Sequence, residues 1–237
     1  MNFEKGYFVQ SDTSNYEDYR GKKFDKLADD LIQLLFLTED TTILDFGCAT
    51  GGLLKSFKER GFQTLAGTDI SYWAIEYGKK TLGLEEELDY YNVNLLTCDY
   101  DVILFLDVLE HVPSVGEIKK YLNLVKAGTR IVVRVPVSEV EGEPYVLQVS
   151  SNDSTHVQCH SKEWWINLLA ECGFISGSSF IGRAIYESKG VFARCYKKEK
   201  AWKEHIHKEG SFRHVLSYDT EGRYCSEKDC EVNKERK

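Results

Sequence analysis

Asp45 and Asp69 each end an apolar run, and each is followed by residues that suit a ligand. After Asp45 comes Gly47-Cys48-Ala49-Thr50-Gly51-Gly52, a turn of small residues that lets a ligand lie against main-chain atoms. A helix opening from such a turn offers unpaired N–H groups at its start. Asp69 stands in Gly-Thr-Asp-Ile-Ser. An acid at the end of a second parallel strand can accept hydrogen bonds from the vicinal hydroxyls of a ribose. The spacing is not that of a pyrophosphate site. Ala49 stands where Gly-x-Gly-x-x-Gly wants its second glycine, and no Gly-Lys-Ser/Thr closes a P-loop. A carboxylate at Asp45 facing the same crevice repels phosphate and suits an ammonium group. Ribose, ammonium and carboxylate without phosphate describe S-adenosylmethionine. Singly, Asp45 could cap the next helix and the glycines could serve only a tight turn; together with Asp69 they point to that cofactor.

A second set of groups can do proton chemistry. "LFLDVLEHVPS" carries Asp107, Glu110 and His111. His111, with an ordinary pKa near 6.5, suits removal of a hydroxyl proton, or else it packs the loop before Pro113. Glu110 reads as a holder of local structure and Asp107 as a lining of the cofactor pocket. "DSTHVQCHSKEWW" adds His156, Cys159 and His160. His156 is a candidate substrate-facing residue. As metal ligands these three lack further partners in the sequence, so no metal site is expected. Trp164 and Trp165 read as the buried face of a helix, with one of them open to a substrate role.

These residues need elements to hold them. Lys23 to Leu37 has helical apolar spacing. Strands are expected at "TTILDFG", "QTLAGTDI", "DYYNVNLL", "YDVILFLDV" and "TRIVVRVP", with helices between: Leu53 to Arg60, Ser71 to Leu82, and one opened by a Ser114/Glu117 capping box and running to Val125. Val137 to Gln158 is looser. Ser161 to Cys172 is a helix stopped by Gly173, and "FISGSSFIG" with "GVFARCYKK" reads as an antiparallel hairpin. Such alternation means an α/β fold, a mostly parallel sheet of seven strands with helices on both faces and a terminal antiparallel hairpin.

Composition bounds the rest. The 237 residues carry a formal net charge of −8, which disfavours non-specific binding to nucleic acid or anionic membranes. No apolar run reaches the roughly 20 residues of a membrane span. The start, "MNFEKGYFVQSD", does not read as a secretory signal, and seven scattered cysteines fit reduced thiols, so a cytoplasmic protein is expected. From Lys198 the chain is heavily charged and reads as a solvated tail. Cys225 and Cys230 lie near His205, His207 and His214 there, at spacings that fit no tetrahedral zinc pattern.

"ILDFGCATGGLL", "GTDISYWAIEYGKK", "YDVILFLDVLEHVPS", "VKAGTRIVVRVP" and "DSTHVQCHSKEWWINLLAECGF" together resemble the successive motifs of the class I S-adenosylmethionine-dependent methyltransferases, over roughly residues 40–195. The resemblance implies a Rossmann-like domain over 41–197, preceded by a lid and helix (1–40) and followed by the charged tail (198–237). It implies S-adenosyl-L-methionine held by Asp45, Gly47, Cys48, Ala49, Thr50, Gly51, Asp69, Ile70, Asn94, Leu95 and Asp107. Asn94 takes the place of the acid that commonly meets the adenine amino group, and Ala49 replaces the family's middle glycine. Tyr7, Phe8, Tyr16, Tyr19 and Arg20 then form an aromatic lid over the cofactor, or else a tail packed outside the sheet. The implied acceptor is a small-molecule or sugar-like hydroxyl, or an amine, with His111 and His156 the catalytic candidates. Nucleic-acid acceptors are disfavoured: no Asn/Asp-Pro-Pro loop follows the fourth strand and no Pro-Cys dipeptide occurs. A non-catalytic cofactor-binding protein and a nucleotide-dependent oxidoreductase are the alternatives. No pattern assigns an oligomeric state.

Overall fold

Ile43–Phe46 (β1) is buried along its whole length, the pattern of a central parallel strand covered on both faces. It pairs in parallel with Leu65–Asp69 (β2) on one side and Val102–Leu106 (β4) on the other. Leu88–Tyr90 (β3) joins β2, and Arg130–Val135 (β5) joins β4, so the parallel strands run in the order β3-β2-β1-β4-β5. The order reverses between β1 and β4. That point, at the carboxyl ends of the strands, is where such sheets open a crevice.

The computed structural model describes residues 3–9, 19–20, 24–176, 190–197, 216–219 and 222–225. Beyond β5, the backbone of Phe174–Ser176 (β6) pairs antiparallel with Gly190–Lys197 (β7), which pairs antiparallel with β5. Leu216–Asp219 (β8) and Gly222–Cys225 (β9) form a separate two-stranded ladder. The cysteine and histidine side chains of the tail lie outside the described residues, as do Tyr16 and the segment between β6 and β7. Among the described residues no helix is long and apolar enough to cross a membrane.

The period of two along the strands sorts the core into two layers. Ile43, Val102, Leu104 and Val132 face Asp25–Leu35 (α2) and Gly52–Lys58 (α3), through Leu31, Leu35, Leu53 and Phe57. Leu44, Phe46, Ile103, Phe105, Ile131 and Val133 face Val115–Leu124 (α5) and Lys162–Glu171 (α7), through Ile118, Leu122, Trp165 and Leu168. Trp165 is fully buried there, while Trp164 stacks on His160 at 3.5 Å between ring centroids. Tyr72–Leu82 (α4) covers β2 and β3. Among the described residues two short helices remain, Lys5–Val9 (α1) and Gln148–Ser151 (α6).

Caps stand where side-chain chemistry places them. Ser71, Ser114 and Ser161 accept the N–H groups of Ala74, Glu117 and Trp164. At α5 the reciprocal half of the expected box goes elsewhere, because the Glu117 carboxylate accepts from the Tyr121 hydroxyl at 2.8 Å. The third strand is shorter than its sequence implied. Tyr91 turns into left-handed backbone (φ 44°), and Asn92 accepts the Asn94 N–H through its side chain. This local bond trades strand pairing for a 3₁₀ turn over Val93–Thr97.

Candidate functional site

A cavity of about 360 Å³ opens at the carboxyl ends of β1 to β4, roofed by α1. Its floor is the glycine turn. Gly47 has φ 83°, and a Cβ there would stand 2.2 Å from Val108 Cγ2, so conformation and space both demand glycine. Ala49 also sits in left-handed backbone, at φ 51°, which costs an L-residue about 1 kcal/mol. Its N–H donates to Asp69 Oδ2 at 2.8 Å, and the Ser71 N–H donates to Asp69 Oδ1 at 2.8 Å. The two carboxylate oxygens offer about four acceptor sites between them, so the side chain keeps capacity for a ligand hydroxyl. Burial lifts the Asp69 carboxyl to about 6 against the opposing pull of the Ser71, Ala49 and Ile70 N–H groups.

Gly47, Ala49, Asp69, Ile70 and Asp107 line this cavity, while Cys48, Thr50 and Gly51 lie outside its lining. Cys48 packs beneath the turn against Leu54 and Ile75, Thr50 is buried, and Gly51 caps α3. Asp45 is also behind the wall. It is 4% exposed on the α2/α3 face of β1, and burial, then repulsion from Asp69, push its carboxyl up to about 7, with Arg134 pulling the other way. Asn94 and Leu95 belong to the 3₁₀ turn, and exposed Asn94 accepts the Thr97 hydroxyl through its carbonyl. Asn92 and Val93 take the cavity positions instead. The reason is the Asn92 turn, which displaces the chain just after β3.

Two contributors went unnoticed in the sequence. Arg134, a charge inside the apolar run of β5, ion-pairs with Asp107 at 2.5 Å, and the Asp107 N–H donates to the Arg134 carbonyl. Lone basic residues in buried strands are the signal for such pairs. The other is the wall formed by Tyr90 and Tyr91, both about half exposed where they line the opening.

His111 also lines the cavity, at the end of a 3₁₀ turn over Leu109–His111. Its Nδ1 meets the Thr155 carbonyl at 3.2 Å and the Thr155 hydroxyl at 2.9 Å. That hydroxyl donates to Asp153 Oδ1 at 2.5 Å, so it accepts from His111. Nδ1 therefore carries the proton, and Nε2 is the lone-pair nitrogen. Burial, and next the neighbouring His156, hold the His111 imidazole well below its ordinary pKa and so neutral at pH 7. The His156 ring packs 4.7 Å from His111, with Nδ1 facing the Ser150 carbonyl at 2.8 Å. Fully buried Glu110 completes the group, and one ligand atom each of Glu110, His111 and His156 lies within 4.8 Å of the others. His160 is elsewhere, paired with Glu141 at 2.7 Å.

The aromatic N-terminus lies over this site. Phe3, Tyr7, Phe8 and Tyr19 line the cavity. The Tyr7 hydroxyl donates to Asp153 Oδ2 at 3.3 Å, and Phe8 stacks near Trp73 of α4.

A family model described as a methyltransferase domain matches residues 19–175. The chain belongs to that family, within the class I S-adenosylmethionine-dependent methyltransferases, and its cofactor is S-adenosylmethionine. Among solved structures, a SAM-dependent methyltransferase from Archaeoglobus fulgidus is 20% identical, with 66% of this chain and 71% of that one covered and a TM-score of 0.51. Magnesium protoporphyrin IX methyltransferase from Synechocystis PCC 6803, with bound SAH, is 17% identical over 73% and 83%, at 0.53. A protein from Pyrococcus horikoshii OT3 is 17% identical over 84% and 100%, at 0.56. No curated protein sequence matches the chain. The residues present fit the cofactor. A glycine floor admits close main-chain contact, and a two-oxygen acceptor stands ready beside it for ribose hydroxyls.

Proposed function

We propose that this methyltransferase acts on a small-molecule or sugar-like hydroxyl, or an amine, by in-line transfer. When bound, S-adenosylmethionine supplies an electrophilic methyl group on a sulfonium. Asp69 takes the ribose hydroxyls, Gly47 and Ala49 give main-chain contact to the amino-acid end, and Asp45 with the Asp107–Arg134 pair sets the charge around it. Ile70, Asn92 and Val93 hold the adenine. The domain over 41–197 is read as a complete seven-stranded sheet ending in an antiparallel hairpin, with residues 1–40 as its lid and 198–237 as a peripheral tail. Phe3, Tyr7 and Phe8 exclude water from the transfer and favour the sulfonium through their ring faces. The reduced thiols of Cys48, Cys98, Cys159 and Cys172 suit a cytoplasmic setting.

One observation carries the choice of acceptor. His111 is neutral, lines the cavity and has its Nδ1 proton fixed by Thr155, so Nε2 is the basic atom available at the transfer end. A hydroxyl must lose a proton on methylation, and in the metal-free site the His111 Nε2, with His156 beside it, takes it. The test is S-adenosylhomocysteine formation with a panel of phenols, sugar hydroxyls and amines. Turnover of one class is expected. Calorimetric binding of NAD with none of S-adenosylmethionine overturns the reading; tight cofactor binding without turnover of any acceptor class favours a non-catalytic binding protein.

A further inference from the structure

Glu110, His111 and His156 come from two chain segments that the fold presses together. The Val157 and Gln158 N–H groups both donate to the Glu110 carbonyl, at 2.8 and 3.1 Å, fixing the 155–158 segment against the Leu109–His111 turn. One ligand atom from each of the three residues then falls within 4.8 Å of the other two. Ligands about 2.1 Å from a common metal sit up to ~4.2 Å apart, so a small side-chain rotation closes the set.

The surroundings of the imidazoles match what metal-ligating histidines require. Such a ring donates its far N–H to a carbonyl or carboxylate, which fixes tautomer and orientation. His156 Nδ1 does so to the Ser150 carbonyl at 2.8 Å. His111 Nδ1 does so through the Thr155 hydroxyl to Asp153. Both rings therefore keep Nε2 as the lone-pair nitrogen. The setting adds further oxygen donors: Glu110 is fully buried, and Asp153, 4% exposed, holds Oδ2 at 3.7 Å from His156 Nε2.

We infer that Glu110, His111 and His156 form a binding site for a divalent first-row transition-metal ion, open toward the cavity at His111. Two imidazoles and one carboxylate favour Zn²⁺, Fe²⁺, Co²⁺ or Mn²⁺ over Mg²⁺ or Ca²⁺, which prefer all-oxygen shells. Three protein ligands leave a position for an exogenous oxygen, as in metal sites that act on substrate. An acceptor hydroxyl reaching that position is acidified: its O–H bond breaks, the proton leaves to water, and the electron pair stays on the oxygen beside the metal. The metal keeps its oxidation state. This role rests on the methyltransferase reading above; the metal site itself does not.

The experiment loads the full chain with Co²⁺ after chelator treatment and records its visible spectrum and stoichiometry. Calorimetry with S-adenosylmethionine runs in parallel. One equivalent of Co²⁺ is expected, with d–d bands and no thiolate charge-transfer band, and at least tenfold weaker binding in Glu110→Gln and His156→Ala. His160→Ala should bind as the parent does. Should either variant misfold, Mn²⁺ bound to the wild-type chain still reports directly, through nitrogen couplings from two imidazoles in pulsed EPR. Absence of stoichiometric Co²⁺, Mn²⁺ and Zn²⁺ binding overturns the site, as does a thiolate band or binding unchanged in both variants. Metal binding without S-adenosylmethionine binding overturns the methyltransferase reading and leaves the site standing; the reverse does the opposite.

Discussion

Asp69 holds the Ala49 N–H at 2.8 Å across the crevice between β2 and the glycine turn, using Oδ2, while Oδ1 holds Ser71. One side chain thus shapes the turn and lines the cavity. Asp69→Asn keeps the volume but sets an NH₂ against one of those two N–H donors. A buried donor left facing another donor costs about 1–3 kcal/mol. Asp69→Asn should therefore lower both Tm and cofactor affinity, the latter by about tenfold or more for the lost acceptor. Calorimetric titration with S-adenosylmethionine checks it, and an unchanged Kd would place the ribose elsewhere.

Asp45 gives the site a pH dependence. Its folded carboxyl is raised from 3.8 to about 7, so the folded chain holds a proton there that the unfolded chain has released. That contribution is fully present below the unfolded value and is lost as pH rises toward 7, so stability of the cofactor-free protein falls across this window. Asp69, raised to about 6, adds in the same direction. Cofactor affinity should run the opposite way, because only ionised Asp45 attracts a cationic ligand. Between about pH 6 and about pH 8 a single group titrating near 7 changes affinity by roughly tenfold at most. Asp45→Asn should flatten both profiles, read by thermal melts and titrations at matched ionic strength.

The strand and helix order was legible because period-two and period-3.6 patterns are local, and so were the serine caps and the turn glycines. The Gly47 turn and Asp69 announced themselves for the same reason: each is a short-range signature. The third strand's early end was not legible, because Tyr91 and Asn92 are as compatible with extension as with a turn until the Asn92 side chain finds the Asn94 N–H. Asn94 and Leu95 were misplaced as cavity residues on that account. His111 and His156 were visible singly, but their partnership depends on bonds spanning 44 residues, between His111 and Thr155. The link from Tyr7 to Asp153 spans 146. No periodicity encodes contacts of that range, which is why the sequence placed Glu110 and His111 in one motif and His156 in another without bringing the three together.

Tyr7 and Phe8 join the N-terminal helix to both ends of the cavity. Phe8 is buried among Tyr7, Tyr19 and Trp73, and Tyr7 packs edge-on to His111. Phe8→Ala removes a buried ring and should detach α1, costing about 3 kcal/mol of its docking. Tyr7→Phe removes only the bond to Asp153, worth about 1 kcal/mol. Cofactor release should quicken strongly in the first variant and a few-fold in the second. Stopped-flow displacement and cofactor protection of the N-terminus against trypsin measure both. Equal release rates in all three proteins would show that α1 does not close the site.

Gly78 shows how the turn is braced from outside. In the middle of α4, alanine ordinarily stabilises a helix by about 1 kcal/mol relative to glycine. Here a Cβ would stand 2.3 Å from the Thr50 carbonyl oxygen and 2.4 Å from Leu88 Cδ1. The leucine methyl can rotate away; the Thr50 carbonyl is main chain, one residue from Ala49, and it can move only by moving the turn. Ala49 then leaves its bond to Asp69. Gly78→Ala should accordingly lower Tm in spite of the better helix former and raise the Kd for S-adenosylmethionine several-fold. Gly83, at φ 70° with nothing within 4 Å of its Cβ position, provides the contrast. Gly83→Ala pays only the left-handed backbone term, about 1 kcal/mol, and should leave Kd alone. A Gly78→Ala protein that melts higher and binds as before would mean that α4 does not set the shape of the cofactor turn.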